Sequence, residues 1–228
     1  MRDCEVRDLG RIGYAEALAV QKELVEQRKQ QHIPDQLLFV EHPHVITLGR
    51  NGNLTNLLAS EDVLRRAAIE LHATDRGGDI TYHGPGQIVA YPIFDLREWK
   101  RDVVAYVRTL EQVIVDSLAE FGIESGRLSG CTGVWVQGKK VAAIGVHISR
   151  WVTSHGFALN QTTDLSYFHY IVPCGLTKPV TSMRELGSSA AREEVIASLA
   201  ASFAHHFDLN IPSRDGDGAV SLLTETFS

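Results

Sequence analysis

Cysteine is scarce in this 228-residue chain: Cys4, Cys131 and Cys174 are few, odd in number and far apart. No CxxC pair occurs, which weighs against a zinc ribbon, a redox dithiol and a disulfide framework. Taken singly, each thiol reads as an inert buried one. Long apolar runs are missing as well. No stretch approaches the ~18 residues of a membrane span, and the opening MRDCEVRDLG has no apolar signal core. A soluble, cytoplasmic protein is the expectation. Basic blocks are absent and the formal net charge is −6, which together argue against a general binder of nucleic acid or anionic membrane. No repeat, low-complexity tract or Gly/Ser linker interrupts the chain. The histidines include His42-Pro-His44 and His205-His206, but neither has helical ligand spacing or an evident carboxylate partner, so no metal site is expected.

What is present is a chain 44% hydrophobic, long enough to bury a substantial core without staples. We read one domain over 1–228, with about 208–228 as a short C-terminal appendage because DLNIPSRDGDGAVSLLTETFS is weakly patterned. Apolar stripes predict four core-forming helices, near 13–31, 60–71, 102–121 and 190–207. Ser60 stands where an N-cap belongs, and Gly122 where a C-terminal stop belongs. Strands are expected at Leu37–Glu41, Val45–Leu48, Ile88–Phe94, Gly133–Gln137, Val141–Ser149 and Phe157–Asn160. Gly138-Lys139-Lys140 reads as a hairpin turn. Hairpins mixed with single helices point to an α+β class on a mainly antiparallel or mixed sheet.

Three places could carry chemistry. RGGDITYHGPGQ, 76–87, gathers four glycines in two clusters around the β-prone Ile80-Thr81-Tyr82, giving loop, strand, loop. Its spacing is neither GxGxxG nor GxxxxGKS/T. One reading is a plain hairpin turn. The other is a backbone stripped of Cβ atoms so that a ligand can approach its amides. PCGL, 173–176, sets Cys174 on constrained backbone outside any helix stripe, where a thiol can be exposed in a cleft. Such a thiol needs a nearby cation or proton acceptor to react at neutral pH. Lys140, at the head of KVAAIGVH, reads as a solvated edge residue, or as that cation if its ammonium turns into a cleft. His147 and His155 read as structural or hydrogen-bonded.

Four segments in order, HPHVITLGR, RGGDITYHGPGQIVAYPIFDL, KKVAAIGVHISRWVTSHGFALN and FHYIVPCGLTKPVTS, resemble the octanoyltransferases of lipoic acid synthesis, also called lipoyl(octanoyl) transferases or lipoate–protein ligase B. The likeness spans about 42–186. It implies the α/β fold of biotin and lipoate protein ligase catalytic domains, a mixed central sheet with flanking helices. It also implies octanoyl transfer from acyl carrier protein to a lysine of lipoyl domains, with lipoyl-acyl carrier protein a second possible donor. Acceptors would be the lipoyl domains of 2-oxoacid dehydrogenases and the glycine cleavage H protein. Carried over by position, Cys174 would be the acyl-thioester nucleophile and Lys140 the amine that lowers its pKa and assists proton transfer. Arg76, Gly77, Gly78, Asp79, Ile80, Thr81, Tyr82 and His83 would line the acyl site, helped by Ala143-Ile144-Gly145 and Gly156-Phe157-Ala158. Leu176 departs mildly from the isoleucine expected after Cys-Gly.

The resemblance implies no cofactor and no ATP, no nucleic acid and no membrane partner, and nothing calls for more than a monomer. Rival readings are an ATP-dependent ligase on the same fold, a cysteine thioesterase and a non-catalytic acyl-binding module. Acidic partner proteins would be repelled by a chain of charge −6. Docking would then need a local positive patch, with candidates Arg50, Arg65, Arg66, Arg76, Lys139, Arg150 and Lys178.

Overall fold

A computed structural model of the chain describes residues 1–172, 178–211 and 223–224. It begins with β1 (Arg2–Arg11), α1 (Tyr14–Lys29), β2 (Asp35–Glu41), β3 (Val45–Leu48), α2 (Glu61–Arg66), β4 (Glu70–Ala73), β5 (Ile80–His83) and β6 (Gln87–Ile93). There follow α3 (Val103–Glu120), β7 (Gly126–Leu128), β8 (Cys131–Val136), β9 (Lys139–Ser149), β10 (Val152–Asn160), α4 (Arg192–Phe207), β11 (Leu209–Asn210) and β12 (Leu223–Thr224). Short 3-10 turns occupy Leu54–Asn56 and Leu165–Tyr170. None of the described helices is long and apolar enough to cross a membrane.

The large sheet has the order β11-β1-β2-β6-β10-β9-β8-β7, with β12 also pairing β1. Strand β1 runs parallel to β2, β11 and β12, whereas each neighbouring pair from β2 to β7 along that order is antiparallel. This is the mixed sheet with flanking helices that the sequence leads one to expect. Alternation along the strands shares the apolar side chains between two faces. Leu37, Phe39, Ile88 and Ala90 pack with α3 and α4, while Leu38, Val40, Val89 and Tyr91 pack with α1. Because both faces are covered, β2 and β6 read as continuous apolar runs. A second sheet, β4-β3-β5, stands apart and shields its own small core, which includes Ile46, Ile80 and Tyr82.

Helix α3 stops as its glycine predicts. Gly122 takes φ +73°, its N–H donates to Ala119 O (3.0 Å), and Ile123 N–H donates to Leu118 O (3.1 Å), the paired bonds of a Schellman ending. Helix α2 is shorter than expected. Ser60 caps it, with Oγ accepting from Val63 N–H, but the helix ends at Arg66. Ala68 turns left-handed at φ +51°, and Ile69 N–H donates to Leu64 O. Leu71, read as the last residue of the helical stripe, belongs instead to β4, which pairs with β3. The gain of a parallel ladder outweighs local helical periodicity there. Strand β1 was not anticipated. Its alternating charges are held across the fold, Arg2 by Asp35 (2.6 Å) and Asp8 by Arg192. Of the expected appendage, β11 and β12 each lie against β1 and most of the remainder is outside the described residues.

Candidate functional site

A cavity of about 700 Å³ opens between the large sheet and the loop that precedes β5. Its floor is the centre of β9 and β10, where Gly145 and Gly156 are directly paired. Both need to be glycine. A Cβ on Gly145 would stand 2.9 Å from Gly77 O, and one on Gly156 only 2.1 Å from Ala90 O. The loop 76–79 is clamped over this floor by backbone bonds. Gly77 N–H donates to Val146 O (2.8 Å), Gly49 N–H to Asp79 O (2.9 Å) and Arg50 N–H to Arg76 O (2.9 Å). Gly49 permits that second contact, because its Cβ would meet Gly78 O at 2.4 Å.

Of the residues expected at an acyl site, Arg76 to Thr81, His83, Ala143 to Gly145 and Gly156 to Ala158 border this cavity, as does Lys140. Tyr82 does not. Alternation along β5 turns it the other way. Its hydroxyl bonds His44 Nδ1 (2.8 Å) and its ring stacks on Tyr167. The two glycine clusters also part company. Gly77 and Gly78 border the cavity, whereas Gly84 and Gly86 lie in a packed turn: Gly86 N–H donates to Glu41 Oε2 (2.9 Å) and its carbonyl accepts from Thr162 N–H and Thr163 Oγ1. Cys174 lies outside the described residues.

Within the cavity the charged groups are largely committed. The Arg76 guanidinium donates to Thr47 O (2.7 Å), to Thr47 Oγ1 and to Gly77 O. The Asp79 carboxylate accepts from Asn53 N–H and Asn56 Nδ2. His83 is different. Burial drives its pKa down to about 3, with His42 and Arg76 acting in the same direction. Its Nδ1 donates to Gln87 Oε1 (2.8 Å), which leaves Nε2 as an acceptor on a neutral ring. Gln87 Nε2 donates to Asn160 Oδ1, and Asn160 Nδ2 to Thr181 O. This chain of side chains ends on the segment bonded to Lys140, since Thr181 N–H donates to Lys140 O (2.9 Å). His155, which takes φ +56°, pairs through Nε2 with Asp75 Oδ1 (2.8 Å), and His147 approaches the other oxygen at 3.6 Å. Burial lowers the pKa of His155, while Asp75 acts to raise it.

Several lining residues escaped the sequence reading. Gln87 and Asn160 stood at the ends of quoted motifs, GPGQ and FALN, yet only the fold joins them. Tyr14 and Tyr91 border the cavity, as do Val103 and Val107, whose helical stripe read as core alone. Cys131 also reaches the wall, half-buried and free. Among the described residues no cluster of ligating side chains could hold a metal ion.

The lining can therefore receive an apolar chain along Val89, Ala143, Ile144, Phe157 and Ala158, with neutral acceptors, amide donors and one ammonium beside it. A family model, the lipoyl protein ligase A/B catalytic domain, matches residues 13–204. The chain belongs to that family. Within it, the chain is 64% identical over 211 residues to an octanoyltransferase of Solibacter usitatus, covering 92% of this chain and 96% of that protein. It is 51% identical over 210 residues to an octanoyltransferase of Koribacter versatilis, covering 89% and 84%. The enzyme is an acyltransferase, and its activity is the octanoyl transfer of lipoate biosynthesis. Solved structures agree in fold. A lipoate-protein ligase A bound with ATP superposes with a TM-score of 0.77 at 16% identity over 99% of this chain and 90% of that one. A biotin protein ligase from Aquifex aeolicus does so at 0.52 and 12%, over 91% and 69%.

Proposed function

We propose that the chain moves octanoyl from octanoyl-acyl carrier protein to a lysine of lipoyl domains through a thioester on Cys174. The Cys174 thiolate, facing the Lys140 ammonium, attacks the donor thioester carbonyl. The carrier thiol leaves with a proton and an octanoyl-enzyme remains. The acceptor lysine arrives as an ammonium, gives a proton to the now neutral Lys140, and attacks the enzyme thioester. An amide forms as the Cys174 sulfur departs with the second amine proton, and loss of that proton to solvent restores the thiolate beside the Lys140 ammonium. Thioester to amide is downhill, so no ATP enters. The Gln87 amide is spent on Tyr82 O and Asn160 Oδ1, but Asn160 commits only one N–H, to Thr181 O, and offers the other near the polar end of the acyl group; His83 stays neutral throughout.

The observation that carries this reading is the position of Lys140. It borders the cavity, and its backbone is tied on both sides to the strand of chain following Cys174, N–H to Pro179 O (2.9 Å) and C=O from Thr181 N–H. Phe168 and Val180, on either side of the segment with Cys174, also border the cavity. With donor alone, intact-mass analysis should show an octanoyl adduct confined to Cys174. Lys140→Met should lower the transfer rate ~10²–10⁴-fold. No adduct, together with full activity in Cys174→Ala, rejects the covalent scheme. Modification that needs ATP and free octanoate favours the ligase reading instead.

The acceptors we propose are lipoyl domains of 2-oxoacid dehydrogenases and the glycine cleavage H protein, with lipoyl-acyl carrier protein as an additional donor. For docking, the candidate patch narrows. Arg76 is 7% exposed and bonded to Thr47, while Arg65 and Arg150 pair with Asp62 and Glu26. Arg50, Arg66, Lys139 and Lys178 remain, and of these the two lysines, beside Lys140, are the best placed. Charge reversal at both should raise the donor KM about fivefold and leave kcat unchanged, because rim charges act mainly on encounter. An unmoved KM removes them from the docking face.

A further inference from the structure

Lys140 is a long, flexible side chain asked to hold one charge at one place, and among the described residues no carboxylate pairs with it. Its Nζ lies instead 4.8 Å from the centroid of the Trp135 ring. The two residues are direct cross-strand partners, Trp135 on β8 and Lys140 on β9. How they come to face each other is a matter of register. Val134 pairs with Ala142, yet Trp135 pairs with Lys140, so Val141 is an extra residue, a β-bulge. Val134, Val141 and Ala142 all enter the main core. Trp135 and Lys140 are thereby turned to the opposite face, where the cavity lies.

Two further details fit a seat for this lysine. Gly133 takes φ +121°, where a Cβ would be excluded by Ala142 O at 2.6 Å, and the Lys140 stem runs alongside it, Cε and Cδ lying 3.4 and 3.6 Å from that Cβ position. Gly133 is itself anchored, its N–H donating to Glu111 Oε1 (3.1 Å), a fully buried carboxylate that Arg108 and Arg127 neutralise. The indole Nε1 of Trp135 is buried without a hydrogen-bond partner among the described residues. A leucine or phenylalanine could fill that volume without burying an N–H. What the indole adds is the strongest ring face for a cation. Lys178 Nζ approaches the same ring at 5.9 Å.

We propose that Trp135 is a positioning residue for the transfer reaction, its indole face holding the Lys140 ammonium where the thiol and the incoming amine meet. This rests on Lys140 acting in the chemistry, as argued above. The test is a double-mutant cycle in single-turnover acylation by octanoyl-acyl carrier protein, with the adduct weighed over time. Trp135→Leu should slow acylation about tenfold in the native background (about 1.4 kcal/mol) and less than about twofold in Lys140→Met. The donor KM should stay within about twofold, and Trp135→Phe should slow acylation less than Trp135→Leu, by about threefold. Equal slowing in both backgrounds, or no slowing in the native one, overturns the proposal and marks Trp135 as packing alone. If Lys140→Met itself costs nothing, the role of Lys140 falls first and the seat falls with it. Should Trp135→Leu fail to fold, Trp135→Phe carries the same cycle, with an expected threefold loss confined to the Lys140 background.

Discussion

The two glycine clusters of RGGDITYHGPGQ, with five residues between them, lie in different surroundings. Gly77 and Gly78 sit on a loop at the cavity, and little besides a backbone carbonyl would touch a Cβ there. The nearest atoms are Val146 O at 3.3 Å for Gly77 and Arg76 Nη1 at 3.5 Å for Gly78. Gly84 and Gly86 are closed in. A Cβ on Gly84 would fall 1.8 Å from the Tyr82 hydroxyl, and one on Gly86 2.5 Å from Thr162 Oγ1 and 2.8 Å from its carbonyl carbon. The same residue type lies open beside the cavity in one place and makes room for the protein itself in the other. Substitutions in the first cluster should therefore register in activity, and in the second in stability.

The hardest test of that contrast is Gly86→Ala. The backbone of Thr162 and Thr163 cannot give way cheaply, and φ +76° is strained for alanine. We expect a loss of about 3 kcal/mol or more, a drop in Tm of roughly 6–12 °C for a chain of this size, with kcat per folded molecule retained. An unchanged Tm erases the distinction. A second test uses His83, which lies between the clusters. Its folded pKa, about 3, is below the ordinary 6.5. The unfolded chain therefore binds the extra proton, and stability rises with pH across that window and falls as pH drops through it. His83→Gln should flatten the slope below pH 6.5 by up to about 1.4 kcal/mol per pH unit. His42, pushed to about 4 by burial, still supplies part of the slope. A slope identical to the parent means His83 is not held neutral.

Gly78→Ala should cost about 1 kcal/mol, since φ +87° is unfavourable but no backbone blocks the Cβ. Gly77→Ala is the smallest in stability, under about 1 kcal/mol, yet Gly77 stands at the cavity. Its signature should be a donor KM raised severalfold, read in steady-state transfer assays. Loss of stability without a kinetic change would place Gly77 with the packed pair.

Much of the secondary structure is legible in the chain because it is written locally. The α3 stripe ends at Gly122, Ser60 caps α2, and β6 is a continuous apolar run, each a pattern within one element. What was not legible depends on partners far along the chain. Strand β1 looks too charged to be a strand until Asp35 and Arg192 neutralise Arg2 and Asp8. Leu71 keeps helical spacing and still joins β4, because β3 offers a ladder. Val103 and Val107 read as core and reach the cavity.

The candidate site divides along the same line. Residue order alone proposes Lys140, Cys174 and the loop at 76–83 through a long family pattern; the fold sets Lys140 and all of that loop but Tyr82 on one cavity, and Cys174 lies outside the described residues. Three-dimensional packing settled which side chains meet. Strand alternation turned Tyr82 away from the cavity, and the bulge at Val141 brought Lys140 round to it and onto Trp135. Spacing along a chain carries no information about register between strands, and register decides the face on which a side chain emerges.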